Sequence, residues 1–60
     1  MMKVKAIAIR TAGLGCIEGD THTDNAQMVM DKGTYYEVYV HENRQIRYSK
    51  KDWRLEVSEA

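Results

Sequence analysis

The sequence predicts an all-β domain, a small, partly open barrel of four or five antiparallel strands with one helical turn before the last strand. Three observations predict it. Residues 35–41 alternate, with Tyr36, Val38 and Val40 on one side and Tyr35, Glu37, Tyr39 and His41 on the other, which is the period of a half-buried strand. Residues 45–49 resume the alternation with Ile46 and Tyr48 inward after the tight Glu42-Asn43-Arg44 connection, so the two segments read as a β-hairpin. The chain has 60 residues, no proline and no internal repeat. That is one domain, 1–60, whose small sheet must curl on itself to bury a face and protect its edges.

The remaining elements follow in order. Residues 3–10 carry Val4, Ala6, Ile7, Ala8 and Ile9 with no capping residue before them, a strand rather than a helix. Their apolar positions fall on both parities, which predicts burial on both faces or a bulge. Residues 11–27 hold Gly13, Gly15 and Gly19 and a polar run from Glu18 to Asn25. They read as a long loop of the functional or mobile kind, with Leu14 and Ile17 tucked against the core. Residues 28–30 make a short strand, and Asp31-Lys32-Gly33 is a turn in which glycine supplies positive φ. In Ser49-Lys50-Lys51-Asp52 a serine precedes an acid by three residues, the pattern of a capped helical turn, with Trp53 inside it. Residues 54–58 form the last strand, with Leu55 and Val57 inward.

Composition narrows the function classes. Nine Lys and Arg balance nine Asp and Glu, so no whole-chain field draws the protein to nucleic acid. The distribution is bipolar. Residues 11–31 lack Lys and Arg but carry Glu18, Asp20, Asp24 and Asp31, while residues 44–54 set Arg44, Arg47, Lys50, Lys51 and Arg54 against Asp52 alone. Cys16 is the single cysteine, which rules out an internal disulfide and suits a reducing, cytoplasmic home; it reads as a small buried hydrophobe. No apolar run approaches the roughly 18 residues of a membrane span, and no signal-peptide core follows the first residues.

The segments Val4-Lys5-Ala6-Ile7-Ala8-Ile9, Met30-Asp31-Lys32-Gly33-Thr34-Tyr35-Tyr36-Glu37-Val38 and Tyr48-Ser49-Lys50-Lys51-Asp52-Trp53-Arg54-Leu55-Glu56-Val57 together resemble Src-homology-3-like small barrels. More specifically, they resemble the short barrel proteins of bacteriophages and prophages. The resemblance implies a Lys-Gly turn into the second strand, a one-turn helix joining the last two strands, and a long loop at 11–27. It departs from the peptide-binding members of the family, which carry an aromatic-rich first-strand motif, a Trp at the start of the third strand and a Pro beside the helical turn. A polyproline groove is therefore not expected. The spacing from Tyr36 to Val57 is short by one strand, which points to an incomplete barrel.

Each chemical motif has a plainer account. Glu18, Asp20, His22 and Asp24 alternate as oxygen and nitrogen ligands would. The glycine and bidentate glutamate of a calcium loop are missing, and a solvated acidic loop suffices. Gly13-Leu14-Gly15 lacks the strand–loop–helix context of a phosphate turn. No nucleophile–base pair is present, so no catalytic residue, metal ligand or cofactor is assigned. Arg44, Arg47, Lys50, Lys51 and Arg54, interleaved with Tyr48 and Trp53, could hold a phosphate backbone while a ring stacks on a base; equally, the rings are core and the cations solvate the rim. Tyr35, Tyr39 and His41 lie on the outer face of their strand, where tyrosines suit a protein interface, unless the glycine-rich loop folds over them.

The expected function is a non-catalytic protein-binding module. It would be a phage-type adaptor or inhibitor that occludes a host or defence protein through Tyr35, Tyr39 and His41 and the acidic Glu18, Asp20 and Asp24. The alternative is a weak nucleic-acid-binding barrel using the five cations of 44–54. Self-association through a free sheet edge is a third option.

Overall fold

The computed structural model describes residues 2–40 and 44–59. It is all-β: β1 (Met2–Ala8), β2 (Thr21–Ala26), β3 (Met28–Asp31), β4 (Tyr35–Tyr39), β5 (Gln45–Ser49) and β6 (Trp53–Glu59). They form two antiparallel three-stranded sheets, ordered β2-β1-β6 and β3-β4-β5. The described strands number six, not four or five, and they do not join into a closed barrel.

The first sheet is built on β1, whose side chains alternate. Val4, Ala6 and Ala8 are buried, while Lys3, Lys5 and Ile7 turn outward and Ile9, just past the strand, is exposed. The expectation of burial on both faces is therefore corrected; one face is enough for a strand at the middle of a two-layer stack. In the second sheet, Val38 and Tyr48 are buried on the matching face, with Val29 and Ile46 packed beside them. Val4, Ala6, Ala26, Val38, Val40 and Tyr48 make one cluster that joins the two layers. Leu55 packs against it as expected, but Val57, opposite the buried Val4, is 51% exposed on the outer strand of its sheet.

The stretch 11–27 holds the largest correction. It is not one loop: residues 21–26 pair with β1 in the register Ala6↔His22 and Val4↔Asp24. The connection before β2 is itself a narrow extension. Ala8 N–H donates to Asp20 O at 2.8 Å, and Ala12 N–H to Cys16 O at 2.8 Å. Leu14 stands fully exposed at its tip and Ile17 is half-exposed, so neither is tucked against the core. Cys16 is half-buried rather than buried. From Ala26 the chain turns into the second sheet within the single residue Gln27, whose N–H donates to Tyr39 O at 2.8 Å.

The hairpin forms as read, in the register Tyr36↔Tyr48 and Val38↔Ile46. The Asp31 turn forms as well: Gly33 has φ 96° and its N–H donates to Asp31 Oδ1 at 2.8 Å. The one-turn helix before the last strand is not present. Ser49 Oγ accepts from Lys51 N–H and Ser49 O accepts from Asp52 N–H, so the capping residues close a simple turn. Trp53 then opens β6 opposite Ala8 instead of standing in a helix.

Candidate functional site: the outer face of the second sheet

Residues paired across an antiparallel ladder share a face. The registers Met28↔Tyr39, Met30↔Glu37, Glu37↔Arg47 and Tyr35↔Ser49 therefore put Met28, Met30, Tyr35, Glu37, Tyr39 and Arg47 together on the side away from the core. The face is apolar at its rim, with Met28 and Met30 44% and 37% exposed and Tyr35 and Tyr39 half-buried.

Its centre is Glu37, only 5% exposed although it lies on an outer face. Neighbouring side chains, not depth, shield it. The Tyr39 hydroxyl donates to Oε1, and Arg47 Nε donates to Oε2 at 3.2 Å. The hydrogen bond from Tyr39 is the main cause that holds the Glu37 carboxyl below its ordinary range, with Lys32 and Arg47 adding to it. The same bond raises the Tyr39 hydroxyl. The Arg47 guanidinium also sits 5.5 Å from the centre of the Tyr35 ring, a cation–π contact that fixes both side chains. Such a face offers aromatic and methionine surface around one satisfied ion pair.

The other predicted residues are spread over the molecule. Glu18 and Asp20 lie in the β1–β2 connection and Asp24 in β2, all in the layer opposite Tyr35 and Tyr39. The acidic residues and the tyrosines therefore do not form one surface. His41 lies outside the described residues. His22 packs edge-on against Trp53 at 5.1 Å, and Trp53 likewise against Tyr48 at 5.2 Å, a short aromatic column at the margin of the core. Burial, with Asp24 nearby, raises the Tyr48 hydroxyl.

Among the described residues, three of the five predicted cations are matched by carboxylates: Arg47 by Glu37, Lys50 by Asp31 at 2.7 Å and Arg54 by Glu56 at 3.5 Å. The Asp31 bond raises Lys50, whose ammonium also lies 4.9 Å from the Tyr36 ring centre. Arg44 and Lys51 are exposed. Sequence reasoning placed Arg47 in the basic cluster and gave Glu37, Met28 and Met30 no role. The parity of β4 already put Glu37 between the two tyrosines, and only the β3 register reveals the methionines.

Among the described residues no helix is long and apolar enough to cross a membrane. No protein-family profile, curated protein or solved structure matches the chain.

Proposed function

We propose that this chain is a small non-catalytic protein-binding module, a phage-type adaptor or inhibitor that acts in the cytoplasm by covering part of a host or defence protein. The observation that carries the reading is the ordered outer face of β3-β4-β5, where Met28, Met30, Tyr35 and Tyr39 surround the fixed Glu37–Arg47 pair. Aromatic rings and Arg, held in place before binding, lose little freedom on contact and are the usual anchors of interfaces.

The Src-homology-3-like reading rests on the sequence segments that carry the resemblance, and the one-turn helix it implies before the last strand is replaced by a simple turn. The phage origin rests on that resemblance alone.

An affinity capture from a bacterial lysate tests the proposal, comparing wild type with Tyr35→Ala/Tyr39→Ala after circular dichroism shows both are folded. A partner retained by wild type and lost by the variant supports it. If both retain the same partner, this face is not the contact.

The nucleic-acid reading is less well supported, because ion pairing occupies Arg47, Lys50 and Arg54. It predicts a log–log salt slope near −3 for duplex DNA if three or four phosphates are neutralised.

A further inference from the structure

We propose that the outer edge of β6 pairs with β6 of a second copy of this chain, antiparallel, with the two-fold axis at Leu55. The inference does not depend on the tyrosine face, which lies on the other sheet.

The direction of the backbone groups comes first. Ala8 N–H donates to Asp20 and Ile9 N–H to Asp52, so the even-numbered residues of β1 turn their backbone to β2 and the odd-numbered ones to β6. Alternation along the ladder then fixes β6. Arg54, Glu56 and Ser58, opposite Ile7, Lys5 and Lys3, spend their N–H and C=O groups on β1. Trp53, Leu55 and Val57 point theirs away from β1, at a margin with no further strand among the described residues. An edge strand of seven residues without proline or bulge is a template for another strand.

The side chains specify which strand. With Leu55 on the axis, Leu55 meets Leu55 of the second copy, Trp53 meets Val57, and Arg54 meets Glu56, each of the last two contacts occurring twice. About six backbone hydrogen bonds form in this register. Arg54 and Glu56 already reach each other at 3.5 Å within one chain, so both charged ends lie on the same face and at the right height for a second partner. Val57, 51% exposed beside the buried Val4, gains an aromatic neighbour. An axis at Glu56 would oppose two glutamates, and an axis at Arg54 two arginines, both disfavoured. An axis at Val57 leaves Trp53 unmatched. Charge and strand overlap together favour the Leu55 register over these three and match this strand to itself.

Sedimentation equilibrium up to about 1 mM, under reducing conditions to exclude Cys16 cross-links, supplies the test. Wild type is expected to dimerise. Arg54→Glu and Glu56→Arg should each weaken the dimer about tenfold or more, since each replaces two attractive pairs by two repulsive ones. Their equimolar mixture should restore association as a heterodimer, and so should the double variant R54E/E56R. Amide exchange gives a readout without substitution: the Leu55 and Val57 N–H groups should become protected as concentration rises. A wild type that stays monomeric, single variants that dimerise as tightly as wild type, or Leu55 and Val57 amides indifferent to concentration would each overturn the proposal.

Discussion

A carboxylate packed between two tyrosines is retained only while its donors are in place. Glu37 has the Tyr39 hydroxyl and the Arg47 guanidinium, and its pKa is held below the ordinary 4.5. A depressed folded pKa means that stability is present above the ordinary value and lost as pH falls through the folded one. Asp31, lowered from 3.8 mainly by its hydrogen bond with Lys50, acts in the same direction. The melting temperature of the wild type should therefore fall as the pH drops below about 5, and Glu37→Gln should flatten that fall. Tyr39→Phe should move the Glu37 titration upward, read directly by NMR. In the core the expected effect is larger and independent of pH. Val38, 1% exposed, sits where the two sheets meet, and Val38→Ala should cost about 2 kcal/mol in denaturant unfolding.

Among the elements, the β3–β4 turn carries the clearest backbone requirement. Gly33 at φ 96° closes on Asp31, whose other commitment is the ion pair with Lys50 that ties β3 to the end of β5. Gly33→Ala should destabilise by about 1 kcal/mol or more, lowering the melting temperature by roughly 4–8 °C in a domain of this size. This turn and the β4–β5 hairpin could be read from the sequence because both signals are local: a glycine after Asp-Lys, and strict alternation of apolar side chains. β2 could not. Thr21-His22-Thr23-Asp24-Asn25 has no apolar periodicity, since its inward side holds His22 and Asp24 at the open margin of the stack. It is a strand because β1 offers a ladder, a tertiary cause. The Ser49–Asp52 turn misled for the opposite reason. Its capping signature is real and is used, but Trp53 is drawn straight into β6 by pairing with Ala8, so no helix can propagate. The tyrosine face was half legible, because β4 alone names Tyr35 and Tyr39 while Met28 and Met30 join them only through register.

Over the whole molecule, two thin layers share a core made largely of small residues, Ala6, Ala8 and Ala26 among them. So little buried area leaves a narrow stability margin, and an exposed side chain that touches nothing should matter little to folding. Leu14→Ser, at a fully exposed position, should change the unfolding free energy by less than about 0.5 kcal/mol. The same tip has a further consequence. It is the outermost point of an arm that leaves the first sheet and returns to it, and β1 is gripped on both flanks, by β2 and by β6. Limited proteolysis should nick the chain beside Leu14 before it cuts elsewhere. The two pieces should still migrate together on a native gel and separate only in denaturant. Made as separate peptides, they should reassemble, giving a split protein whose halves report on each other's presence.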